Sequence, residues 1–127
     1  MSEALTRGVR VTVQPLYLED RSDPLRNYYF FAYFVTIANE GDEPVQLVSR
    51  HWIISDGTGK TQEVRGAGVV GHQPRLVPGQ TFEYNSFCLL PTEVGSMRGS
   101  YQMVTDDGEP FDAVIAPFTL AVPTALN

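Results

Sequence analysis

Tyr28-Tyr29-Phe30-Phe31-Ala32-Tyr33-Phe34-Val35-Thr36-Ile37-Ala38 is the longest apolar run in the chain. Its aromatic and β-branched side chains suit a pleated surface and lose rotamer freedom in a helix. The run is about half of what a membrane-spanning helix needs. Read as a strand, it is apolar on both faces, so the expectation is a central strand covered on both sides. Turn-forming segments flank it. Glu19 to Asn27 is polar and carries Asp23-Pro24. Asn39-Glu40-Gly41-Asp42-Glu43-Pro44 combines Gly for positive φ, Pro for fixed φ and Asx for local capping.

Outward from this run, period-two alternation recurs and helical spacing is nearly absent. Upstream, Val9, Val11 and Val13 alternate with Arg10 and Thr12 as a strand with one buried face. Pro15 should interrupt that strand or put it at an edge. Downstream, Val45 to Ser55 carries the sole tryptophan, Trp52, which shares a face with Val48 and Ile54 and is expected in the core. Asp56-Gly57-Thr58-Gly59 signals a hairpin of the Asp-Gly kind, with Thr61 to Val64 returning. Gly66 to Gly79, rich in Gly and Pro, reads as an ordered loop. Gln80 to Leu89 sets Phe82, Tyr84, Ser86 and Cys88 on one side. Thr92 to Gly95 turns the chain, Met97 to Val104 is a strand, and Asp106-Asp107-Gly108 turns it again. Phe111 to Val122 closes the domain, Pro117 marking a bulge or edge position. About seven strands at regular spacing argue for an all-β sandwich of two antiparallel sheets. The expectation is one domain over residues 1–127, its ordered core about 8–123.

Composition narrows the function classes. The formal net charge is -6, and the 9 Lys and Arg are scattered. Nucleic-acid binders concentrate basic residues to neutralise phosphates, so nucleic acid is not an expected partner. The acidic balance also disfavours an anionic membrane surface. Cys88 is the only cysteine, which rules out an internal disulfide and fits a reducing compartment. The N-terminal residues lack the apolar core of a signal peptide, and the chain is expected to be cytoplasmic and not inserted in a membrane.

In the middle of the chain the motifs become specific. Trp52-Ile53-Ile54-Ser55-Asp56-Gly57-Thr58-Gly59 leads into Val64-Arg65-Gly66-Ala67-Gly68-Val69-Val70-Gly71-His72-Gln73-Pro74. Leu76-Val77-Pro78-Gly79, Phe82-Glu83-Tyr84-Asn85-Ser86, Gly95 to Met103 and Gly108-Glu109-Pro110-Phe111 follow in order. This series closely resembles the ApaG family over nearly the whole chain. The resemblance implies a fibronectin type III-like or immunoglobulin-like sandwich. It also implies a domain found alone in bacteria and appended to larger eukaryotic proteins, including an F-box protein and a DNA-polymerase-associated protein. In those settings the domain resembles a protein–protein interaction module. Bacterial members are linked to cobalt resistance and magnesium efflux, with no settled enzymatic activity.

Gly66-Ala67-Gly68-Val69-Val70-Gly71 matches G-x-G-x-x-G, which in a dinucleotide site opens a helix whose N-terminus meets a pyrophosphate. Here Pro74, Pro78 and Gly79 follow closely, so no helix is expected and the glycines read as backbone geometry. The alternative is weak phosphate or pyrophosphate binding by backbone N–H groups, helped by Arg65, His72 and Arg75, in a regulator of divalent-cation homeostasis. The leading expectation is a non-enzymatic module that binds a protein, through an edge strand or through this loop. The candidate contacts are Arg65, Gly66, Gly68, Gly71, His72, Gln73 and Arg75. His51, His72 and Cys88 lack zinc-site spacing, and no metal, cofactor or catalytic residue is assigned. His51 reads as a packed or hydrogen-bonded strand histidine, Cys88 as a buried inert thiol, and Asp106 and Asp107 as solvated turn residues. Ser49 and Ser86 lack a nucleophile-elbow context.

Overall fold

The computed structural model describes residues 1–126. Nine strands run in chain order: β1 Ser2–Thr6, β2 Val9–Tyr17, β3 Tyr29–Asn39, β4 Val45–Asp56, β5 Thr61–Ala67, β6 Arg75–Leu76, β7 Thr81–Leu90, β8 Val94–Thr105 and β9 Pro110–Ala121. They form two antiparallel sheets. One has four strands in the order β1-β2-β3-β7, and the other has five, β5-β4-β8-β9 with β6 paired to β4. The expected two-sheet sandwich is therefore observed.

Two strands exceed the expected count. β1 is joined to β2 by Arg7 and Gly8, both at positive φ (47° and 80°), the signature of a two-residue hairpin loop. β6 is a two-residue pairing inside the expected Gly66 to Gly79 loop, and β5 runs on to Ala67, so Arg65 and Gly66 are strand residues. Pro15 lies on the part of β2 beyond the end of β1, an edge position that tolerates its missing N–H. Pro117 falls in the β9 bulge facing Arg98, where the register with β8 shifts. Asn39, 2 % exposed, pins its turn by donating from Nδ2 to the carbonyls of Glu43 and Leu76 and accepting from the Gly41 N–H. The hairpin after β4 forms with Gly59, not Gly57, in the left-handed region, and the Asp56 carboxylate accepts from the Thr58 and Lys60 N–H groups.

Both inner faces meet in one core. Val9, Val11 and Val13 of β2 and Phe31, Tyr33, Val35 and Ile37 of β3 pack against Leu47, Trp52, Tyr101 and Ile115 of the opposite sheet. Trp52, 2 % exposed, makes edge contacts with Tyr33, Tyr101 and Phe118. Its core placement matches expectation, but its assigned neighbour Val48 is exposed. A bulge at Val48 shifts the register between Leu47 and Ser49, so Leu47 points inward and inward alternation resumes at Arg50 and Trp52.

The expectation that Tyr28 to Ala38 is covered on both sides is corrected. β3 is central by pairing, flanked by β2 and β7, but among the described residues no strand packs over its second face, and only the segment around Arg21 reaches one end of it. Phe34 there is 46 % exposed. The aromatic side chains of that face shield one another sideways, Phe30 standing 5.6 Å from Phe87 and 6.4 Å from Tyr28 between ring centroids. The sandwich is also asymmetric. β1 and β2 pack against β9, where the Thr6 hydroxyl accepts from the Val114 N–H. On the opposite side, β5 and β7 each have one unpaired edge.

Candidate functional site

The predicted site residues come together, but mostly as a self-satisfied connection. Gly71 leads directly into residues 72–74 and β6, not into a helix. The Gly68 N–H donates to the Val48 carbonyl, and the Val69 and His72 N–H groups exchange bonds with each other's carbonyls. These amides are therefore unavailable to a phosphate nest. Gly68 (φ +60°) could not be another residue without strain, since a methyl there would stand 2.3 Å from the His72 carbonyl oxygen. Gly71 (φ +82°) faces open space. Gly66 lies within β5 beneath the Arg50 guanidinium.

The side chains around the loop are engaged as well. Arg75 forms an ion pair with Asp106, with Nε 3.1 Å from Oδ1, and its hydrogen bonds hold the Asp106 carboxyl below the usual carboxylate range. The Gln73 amide donates to the Val48 carbonyl, and the His72 ring leans on Phe82 at 5.7 Å. Arg65 remains the exposed cation, 3.9 Å from Glu63. The loop therefore reads as a strut joining the sheets, with Arg65, Val70, Gly71 and His72 at its surface.

The other reactive side chains are ordinary. His51 Nε2 lies 2.8 Å from Glu63 on the outer face of β4. Cys88 is buried, and burial pushes its thiol up to about 11, so it stays protonated at neutral pH. Among the described residues no three His, Cys, Asp or Glu side chains are grouped so as to hold a metal ion. No helix of the described chain is long and apolar enough to cross a membrane.

The feature that residue-by-residue reading missed is the outer face of the four-stranded sheet. Leu16 of β2, Phe34 of β3 and Phe87 and Leu89 of β7 all point outward and are 46–51 % exposed. Register places Leu16 and Phe87 on either side of Ala32, and Leu89 beside Phe30, so the patch is continuous. Arg21 caps one end, its guanidinium 5.6 Å from the Phe87 ring centroid. β7 borders the patch with the N–H and C=O groups of its unpaired edge. Phe34, Phe87 and Leu89 were visible in the sequence as apolar residues, but alternation alone does not tell a buried second face from an open one.

Comparison with known proteins decides the family. The ApaG domain family matches residues 19–105. The chain belongs to the ApaG domain family. A relative from Anaeromyxobacter dehalogenans, Protein ApaG, is 57 % identical over all of both chains. Protein ApaG of Azotobacter vinelandii is 58 % identical over 94 % of each. A crystal structure from Bordetella pertussis superposes with a TM-score of 0.89 at 55 % identity, covering 91 % of this chain and 94 % of that one. The ApaG resemblance seen in the motif series is thus established over the full domain, and with it the sandwich.

Proposed function

We propose that this ApaG-family chain is a non-enzymatic binding module that takes a protein partner on the outer face of its four-stranded sheet. The observation that carries this reading is the continuous apolar patch of Leu16, Phe34, Phe87 and Leu89 beside the open edge of β7. Exposed apolar patches on soluble domains mark interaction sites. An unpaired strand edge supplies main-chain bonds to an extended segment, and the alternate pockets beside it supply specificity. The partner this geometry suits is an extended segment with apolar residues at every second position. The link to cobalt resistance and magnesium efflux that the family implies would then run through protein contact in the cytoplasm, not through metal held by this chain.

A photo-crosslinking residue at position 34 tests the reading. The expected result is a partner adduct that disappears when Phe87→Ser is added, with the melting temperature retained. An adduct unaffected by Phe87→Ser, or one formed only from position 65 or 72 in the Gly66 to Gly79 connection, would overturn it.

A further inference from the structure

The open side of the sandwich holds a cleft between β5 and β7 of about 460 Å³. Small-molecule sites span roughly 300–1,000 Å³. Its walls mix apolar and aromatic side chains, Trp52, Ile54, Val64 and Met97 among them, with the polar Gln62 and Ser86, and one charged side chain, Arg50, lines it. Arg50 arrives there because the Val48 bulge reverses the alternation of β4. The guanidinium is laid flat against bare backbone: a methyl on Gly66 would stand 2.7 Å from Cζ, Nη1 and Nη2.

Structural ties use only part of the group. Nη1 donates to the carbonyls of Ala67 (3.1 Å) and Gly68 (2.9 Å). Nε and Nη2 meet no protein acceptor among the described residues, and no carboxylate lies within ion-pair distance, although acidic residues outnumber basic ones 15 to 9. A half-buried cation without a counter-charge is costly unless something pairs with it. The two remaining donors form a planar fork that matches a carboxylate.

We propose that this cleft binds a carboxylate carried on an apolar group, with Arg50 as its anion partner. A single cation balances one negative charge, and the apolar walls take the body of the ligand, which free phosphate does not have. The ligand is either a small free acid or the C-terminal carboxylate of a protein chain ending in an apolar residue; both present the same chemistry. The proposal goes beyond the partner face described above and rests on Arg50, not on that face, although Phe87 and Leu89 border both.

Trp52 lines the cleft and is the only tryptophan, so its emission reports occupancy directly. The unaltered protein is titrated with 4-phenylbutyrate, with 4-phenylbutyramide, with inorganic phosphate, and with a short acetylated peptide ending in phenylalanine as free acid or amide. A saturable emission change is expected for an acid, with the matching amide weaker by about tenfold or more, as loss of a charge-assisted contact requires. Response to phenylbutyrate assigns a small free acid, and response to the peptide acid alone assigns a chain terminus. Arg50→Gln should abolish the response, and Arg50→Lys, which keeps charge but loses the fork, should weaken it. Equal responses to acid and amide, a response to phosphate matching that of the acids, or no response to any probe would overturn the proposal. Because these comparisons use the unaltered protein, they hold even if Arg50→Gln loosens β5.

Discussion

Replacing Gly99 by alanine tests the contact between β4 and β8 at its closest point. Gly99 pairs with Trp52 on one side and Ile115 on the other, next to the bulge that admits Pro117. A methyl built there would lie 2.0 Å from the His51 carbonyl oxygen and 3.2 Å from the Trp52 Cα. Both neighbours are backbone, so the strands must separate. Overpacking costs about 1–3 kcal/mol, and each ladder bond lost adds about 1 kcal/mol, which puts the substitution at about 3–5 kcal/mol. For a domain of this length that corresponds to a fall in melting temperature of about 10–20 °C. Gly59 is the internal control: its φ is +86° and a methyl would touch nothing within 4 Å. Gly59→Ala should therefore cost only the left-handed backbone strain, about 1 kcal/mol or about 4 °C. Thermal unfolding followed by circular dichroism reads both. If Gly99→Ala melts as high as Gly59→Ala, the β4–β8 register described above is wrong.

Three further outcomes follow from the same structure. Leu47→Ala should cost about 2–5 kcal/mol and Val48→Ala under about 0.5 kcal/mol in urea unfolding, because the bulge buries the first and exposes the second; equal costs would refute the bulge. Trp52→Ala should cost about 3–5 kcal/mol, since three aromatic neighbours lose their partner; a cost near zero would remove Trp52 from the core. Stability should also fall at alkaline pH. Burial raises Tyr33, Tyr84 and Tyr101 above the usual phenol range and Cys88 to about 11. The folded state holds these protons while the unfolded chain releases them, so the stability they contribute is complete below about pH 9 and declines as pH rises through the folded values. A urea midpoint unchanged from neutrality to about pH 11 would contradict this.

Much of the fold was legible because alternation is a local signal. Val9 to Val13, Phe82 to Cys88 and the turn at Asn39 to Pro44 each follow from side-chain chemistry within a few residues. What escaped was non-local. The Val48 bulge reverses parity along β4 without any distinctive residue, and so it hid both the inward turn of Arg50 and the exposure of Val48. The apolar character of Tyr28 to Ala38 was plain, but whether another layer covers its second face depends on sheet order, and here none does. The prolines after the glycines at 66, 68 and 71 make a following helix unfavourable, and β6 stands there instead. The contacts of the glycines' neighbours, an ion pair with Asp106, a hydrogen bond to Val48 and ring packing on Phe82, could not be read from spacing.

Hydrogen–deuterium exchange of the chain alone and in complex with the crosslinked partner tests the proposed partner face most directly. New protection is expected at Thr81–Leu90 and at residues 30–34, with the Gly66 to Gly79 connection unchanged. Protection confined to that connection, or unaltered exchange along β7, would contradict it.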